Sequence, residues 1–177
     1  MIKQALIHVE NTDGIIEFAR FLSDSGWTLL SANKTEDLLK KEDIPVTKEL
    51  SLVENNTYIN DTSTLLQRIL SSNYFDADSN QNNQDEIIGI ICMNIVPALH
   101  SIQNEQKLKS ITKPFNYSIS TILRTSFMNY ENLLILSDPS DYKEAMIQLR
   151  TNNITEDFFS SYKDEYNFII NHLDFSV

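Results

Sequence analysis

The side chains able to move protons or hold ions are His8, His100, His172, Cys92 and a scatter of carboxylates. The histidines stand far apart, and no cysteine or carboxylate accompanies them at metal-ligand spacing, so no metal site is expected. Cys92 lies in the apolar run Ile87-Ile88-Gly89-Ile90-Ile91-Cys92-Met93 and reads as a reduced core residue rather than a nucleophile. As the sole cysteine it has no partner for an internal disulfide. Serines, histidines and aspartates occur, but without the strand–turn–helix motif that exposes a nucleophilic serine. Asp76 and Asp78 fall in a polar tract and read as solvated charges.

The elements that would have to position any such chemistry form an α/β pattern. Residues 3–9 read as a buried strand and Asn11-Thr12-Asp13-Gly14 as a turn. Ile15, Phe18, Ala19 and Leu22 then recur at helical spacing until Gly26 stops the helix. Residues 27–31 read as a second strand and 34–42 as a second helix. Asn33 is placed to cap that helix, with Glu36 as its capping-box partner. A β-α-β-α opening implies parallel strands joined by right-handed crossovers. Further along, the pattern predicts helices over 61–71 and 117–128 and strands over 87–95 and 133–136. A helix begins at Asp138-Pro139-Ser140-Asp141-Tyr142, with proline early and acids in its first turn. A last amphipathic helix over 154–173 carries Phe158, Phe159, Tyr162, Tyr166, Ile169 and Ile170, a stripe suited to a core or a dimer face. Residues 72–85 are polar and poor in large apolar groups, and read as a mobile loop.

A chain of 177 residues with 41% hydrophobic and 22% charged side chains fits one folded domain, with no second domain or internal repeat in view. The net charge of -11 argues against a nucleic-acid partner, which requires clustered Lys and Arg. No apolar stretch is long enough to span a membrane, and the N-terminus lacks a signal-peptide pattern, so a cytoplasmic location is expected. Glycine is scarce, 3 residues in all, although phosphate-cradling loops usually use it for positive φ and close approach.

Several segments, in order, resemble the IMP cyclohydrolase domain of the bifunctional purine biosynthesis proteins. Ala5-Leu6-Ile7-His8-Val9 through Gly14-Ile15-Ile16-Glu17-Phe18-Ala19 is similar to that domain's opening. Gly26-Trp27-Thr28-Leu29-Leu30-Ser31, Leu38-Leu39-Lys40 and Ile44-Pro45-Val46-Thr47 are similar to the segments next in that domain. Leu123-Arg124-Thr125-Ser126-Phe127-Met128-Asn129 matches the arginine-bearing helix, and Asp138-Pro139-Ser140-Asp141-Tyr142 the segment after the next strand. The match is collinear outside residues 55–85. It implies a methylglyoxal-synthase-like fold: a parallel sheet flanked by helices on both faces, of the Rossmann type. It implies no metal or redox cofactor. The family's formyltransferase half has no counterpart in these 177 residues.

Members of the family close the purine ring of a formylated aminoimidazole carboxamide ribonucleotide, releasing water and giving IMP. The resemblance assigns the substrate phosphate to two loops. In the first, a serine and a lysine correspond to Glu10 and Thr12. In the second, Ser-Thr-Gly-Gly-Thr corresponds to Ser31-Ala32-Asn33-Lys34-Thr35, so Ser31 and Thr35 are retained while both glycines are replaced. At about 5 Å and an effective dielectric near 20, each added repulsion or lost attraction is worth about 3 kcal/mol per phosphate charge. Halved, the two changes at Glu10 and Thr12 together still amount to about 3 kcal/mol, which would weaken binding by roughly a hundredfold. Lys34, at a helix N-terminus, either restores one positive charge or is simply solvated.

The reacting groups change as well. The family's Asn-Leu-Tyr-Pro segment corresponds to Asn94-Ile95-Val96-Pro97, so its tyrosine is Val96. Its aspartate corresponds to Asn116 and its helix lysine to Met128. The Lys-Thr-Leu-His segment has no match within 55–70. Valine, asparagine and methionine cannot exchange the protons that ring closure moves. Arg124 keeps its place, as a ligand contact or as a structural ion pair. The expected ligand set is therefore Ser31, Lys34, Thr35 and Arg124, without a catalytic set.

These observations imply a cyclohydrolase-like domain that has lost activity and serves as an interaction or regulatory subunit, with a second copy or a separate formyltransferase chain as partner. Two alternatives stand beside it. One is an active cyclohydrolase using Lys34 and Arg124, because positioning alone accelerates an intramolecular closure. The other is a binding module for a small phosphorylated metabolite.

Overall fold

The computed structural model describes residues 2–48, 59–73, 86–94 and 117–151, with 154, 155, 157, 158 and 162 beyond them. Strand β1 (Ile2–Ile7) is followed by α1 (Ile15–Asp24), β2 (Thr28–Ser31), α2 (Asn33–Lys41) and β3 (Thr47–Lys48). Then come α3 (Ile59–Ser71), β4 (Glu86–Cys92), α4 (Tyr117–Met128), β5 (Leu134–Leu136), a 3-10 turn (Pro139–Asp141) and α5 (Tyr142–Arg150). The strands form one sheet in the order β3-β2-β1-β4-β5, and every pairing is parallel.

Strands buried on both faces explain the apolar runs in the sequence. On one face Ala5, Ile7, Leu29, Ile90, Cys92 and Leu134 pack against Phe18 and Leu22 of α1 and Ala145 of α5. On the other, Leu6, Leu30, Ile88, Ile91 and Ile135 pack against Leu65 and Ile69 of α3 and Ile122 and Phe127 of α4. This is the three-layer arrangement expected of a methylglyoxal-synthase-like fold.

Between β1 and β4, Gln4 pairs with Ile88 but Ala5 pairs with Ile90, so Gly89 is an extra residue opposite β1. The bulge puts Ile88 and Ile90 on opposite faces of the sheet although they are two residues apart.

Helix α1 ends as its sequence predicts. Gly26 has φ 84, its N–H bonds to Ser23 O at 3.0 Å, and Trp27 N–H reaches back to Leu22 O at 3.0 Å. These are the paired bonds of a glycine-terminated helix. Helix α2 ends the same way without glycine. Asp43 takes φ 55, Asp43 N–H bonds Lys40 O at 3.2 Å, and Ile44 N–H bonds Leu39 O at 3.0 Å. Burial of Leu39 and Ile44 holds the chain in that conformation.

The start of α2 departs from expectation. Its cap position is Ala32, not Asn33, and Asn33 itself has φ 55. The Glu36 carboxylate does not turn back to the cap; it pairs with Lys40 at 2.5 Å. The predicted last helix falls mostly outside the described residues, as do 74–85 of the expected polar loop. Of that helix, Ile154, Phe158 and Tyr162 pack against the α1/α5 core, and Phe158 meets Tyr162 edge-on at 5.7 Å.

Candidate functional site

The strand order changes direction between β1 and β4: β1 leads outward to β2 and β3, whereas β4 leads to β5. In open α/β sheets ligands bind in the crevice that forms beyond the carboxyl ends of the strands at such a point. Among the described residues, that edge carries residues 8–14 after β1, Asn94 after β4, and the start of α2.

Asn94 organises this edge. Its Oδ1 accepts hydrogen bonds from the backbone N–H of Glu10 at 3.0 Å and of Asn11 at 3.1 Å. Its Nδ2 donates to Asn11 O at 2.6 Å and to the Tyr142 hydroxyl at 3.2 Å. Tyr142 in turn stacks on Phe18, with ring centroids 5.0 Å apart and an interplanar angle of 7°. The same ring packs beside Gly14, the cap of α1, which adopts φ 69; a Cβ there would sit 3.4 Å from Tyr142 Cδ2. The post-β1 loop is thereby tied to β4 and α5 through one amide. Burial, chiefly, raises the Tyr142 phenol well above its usual value, and it raises the Cys92 thiol likewise. Both remain protonated, which suits structural roles.

Ser31, Lys34 and Thr35 are brought to the same edge, but the two hydroxyls face inward. Ser31 Oγ is fully buried and donates to Ile7 O at 2.8 Å. Thr35 Oγ1 accepts from Val9 N–H at 3.1 Å and donates to Val9 O at 3.3 Å. Both clasp the second loop onto β1. Lys34, Glu10 and Thr12 are exposed. Arg124 is exposed on α4, an element of the layer opposite α1 and α5. Met128, where the resemblance expects lysine, ends α4 and is 75% exposed. Val96 and Asn116 lie outside the described residues.

The replaced glycines have different structural consequences. Asn33 supplies the left-handed conformation that glycine would give, and asparagine is among the residues that tolerate it. Lys34 sits within the first turn of α2, where no glycine is required. The backbone path of the second loop therefore does not depend on the missing glycines.

His8 is legible in the sequence only as a strand residue. It extends the β1 ladder, donating its N–H to Cys92 O at 2.9 Å, and is 7% exposed. Its Nδ1 is buried with no hydrogen-bond partner among the described residues. Burial lowers its pKa below the usual histidine value, and the nearby Glu10 carboxylate only partly offsets this. The folded state thus favours the neutral imidazole. Its contribution to stability is fully present above the ordinary value of about 6.5 and declines as the pH falls below it, toward the lowered folded value. In urea unfolding at pH 7.5 and 5.5, the native chain should lose more stability on acidification than His8→Gln. Equal losses in the two proteins would contradict this assignment.

Among the described residues no group of three or more His, Cys, Asp or Glu is placed to hold a metal, and no helix is long and apolar enough to cross a membrane.

No family model matches the chain. It is 22% identical over 160 residues to the bifunctional purine biosynthesis protein PurH of Clostridium perfringens (strain 13 / Type A), covering 86% of this chain and 32% of that protein. It is 28% identical over 149 residues to the bifunctional purine biosynthesis protein of Dictyostelium discoideum, covering 79% of this chain and 27% of the relative. It thus spans about a third of the length of such proteins. The crystal structure of ForH superimposes with a TM-score of 0.71 at 17% identity, covering 98% of this chain and 96% of that one. On this geometry and these matches, the chain is a distant relative of one part of the bifunctional purine biosynthesis proteins, built on a methylglyoxal-synthase-like sheet.

Proposed function

We propose that this chain is a divergent IMP-cyclohydrolase-like domain that does not close the purine ring and acts as an interaction or regulatory subunit in purine metabolism. The observation that carries the reading is the state of the edge at β1 and β4. Its loops are held in place by Asn94, Ser31 and Thr35, while the groups facing outward have changed in kind. Glu10 presents a carboxylate there, where the resemblance expects a phosphate-binding serine. A scaffold kept with its charge reversed suits recognition better than proton transfer.

Met128 also supports the interaction role. It and Leu70, 51% exposed, are large apolar side chains in open solvent near the carboxyl ends of α4 and α3. Asn129 joins those two ends by donating to Ile69 O and Ser72 O, both at 2.8 Å. A second copy of the chain or a separate formyltransferase chain is the partner this reading names.

The deciding experiment tracks IMP formation by absorbance from the formylated ribonucleotide, with and without an added formyltransferase chain. The expected rate at high protein concentration equals the uncatalysed rate in both mixtures. Saturable IMP formation that scales with this protein would overturn the proposal. The reading as a binding module for a phosphorylated metabolite has one observation in its favour: exposed Lys34 on the first turn of α2, next to the preserved left-handed Asn33.

A further inference from the structure

We propose that the segment after β1, residues 9–13, is an acid-released latch, with His8 as the trigger that frees it from β4 and α2 while the sheet stays folded. The inference does not depend on the purine reading above. It concerns the same sheet edge.

Backbone pairing of β1 stops at His8, whose N–H bonds to Cys92 O at 2.9 Å. Among the described residues, the chain beyond it is hydrogen-bonded to neighbouring elements through side chains alone. Thr35 Oγ1 accepts from the N–H of Val9 and donates to its carbonyl. Asn94 bonds the N–H groups of Glu10 and Asn11 and the carbonyl of Asn11. Of residues 9–13 only Val9 is buried. A segment fastened in this way opens at a lower free energy than a strand laddered on both sides.

His8 stands where the ladder gives way to the latch. It is buried, and its Nδ1 has no hydrogen-bond partner among the described residues. Strand alternation from Leu6 turns its ring to the sheet face covered by α3 and α4. The register places Ala32 and Met93 beside it, both buried. The described residues that α3 and α4 pack on that face, among them Leu65, Ile69, Ile122 and Phe127, are apolar. Helix α2 buries Leu39 on the opposite face, and its Glu36 is paired with Lys40. Cys92 and Tyr142 also lie on the opposite face and stay protonated. Glu10 is the one charged group among the described residues that acts on the ring, and its attraction only partly offsets the effect of burial. A second ring proton would thus meet neither an acceptor nor water. Peeling back residues 8–13 gives the ring to solvent and leaves the pairing of Ile2–Ile7 intact.

The open segment takes up a proton at about the ordinary histidine value of 6.5, whereas the closed segment does so only at lower pH. Opening is therefore coupled to the uptake of one proton below about pH 6.5. It becomes more favourable by up to about tenfold per pH unit until the closed form is protonated as well. Through His8, acid then costs the whole fold no more than the free energy of this opening.

The test is amide hydrogen exchange of the full chain, followed by NMR between pH 7.5 and 5.5 and expressed as protection relative to an unstructured chain. The amides of Glu10 and Asn11 should be less protected than those of Leu6 and Ile91 throughout, the mark of an opening short of unfolding. Across this range, protection at Glu10 and Asn11 should fall by about five- to tenfold. In His8→Gln and His8→Phe, which lack a titrating ring at this position, it should stay level. Loop amides as protected as those of the sheet, native protection that does not change with pH, or an equal fall in either variant would each overturn the inference. None of these outcomes bears on ring closure, so the proposed function stands or falls separately.

Discussion

Replacing Asn94 by alanine should destabilise the protein by about 3 kcal/mol, roughly 6–12 °C in the thermal midpoint for a chain of this length. The amide is 5% exposed and serves four groups: two loop N–H groups, one loop carbonyl and the Tyr142 hydroxyl. Alanine leaves all four without that partner. Asn94→Asp separates the two halves of the amide. A carboxylate keeps both bonds from the N–H groups but cannot donate to Asn11 O, and it sets a negative charge against that carbonyl. Asn94→Asp should therefore be intermediate at neutral pH and recover in mild acid, where a protonated oxygen donates again. Differential scanning calorimetry reads both effects. An Asn94→Ala midpoint within about 2 °C of the native one would show that the loop finds other partners.

Phe18→Ala should be at least as damaging, by about 3–5 kcal/mol, because it empties a fully enclosed ring site. Phe18 lies against the phenol ring that Asn94 holds, so its loss also loosens the hydroxyl end of that bond. The two substitutions should be non-additive: Phe18→Ala with Asn94→Ala should destabilise less than their separate effects combined. Phe18→Leu should restore about half of the loss by refilling volume without the stacked geometry. Urea unfolding of the native chain, the two single variants and the double variant measures the coupling. Strict additivity would mean that the ring stack and the amide act independently.

The sheet is readable from the chain because its strands are covered on both sides and so appear as uninterrupted apolar runs. Helix α1 is readable from its spacing and from Gly26. Less visible are features in which one residue does the work usually given to another. Asp43 ends α2 in the conformation glycine normally supplies, and Asn33 does the same at its start, so scarcity of glycine suggests a disrupted loop that the backbone does not have. The bulge in β4 has one local sign, the lone Gly89 within an isoleucine run, but the register shift itself depends on how β4 lies against β1.

At the candidate site, the resemblance points to the second loop, and Ser31 and Thr35 do stand there. Their inward direction is not legible, because whether a hydroxyl faces a ligand or the neighbouring strand depends on how β1 and β2 lie together. In the sequence Asn94 is merely the first residue of a segment whose third position, Val96, draws the interest. Its role requires Glu10, Asn11 and Tyr142, far from it in sequence, to converge on one amide. His8 shows no pattern at all; its interest lies in an atom without a partner, which only a folded arrangement reveals.

The extra residue in β4 has a consequence for changes in chain length. Because Ile88 and Ile90 already face opposite ways, removing Gly89 would make them ordinary alternating neighbours and leave each on its present side. Most places in an internal strand lack this freedom, since a one-residue shift there turns one flank inside out. Position 89 is thus a splice point: β4, an internal strand, can be shortened there without a new assignment of inside and outside.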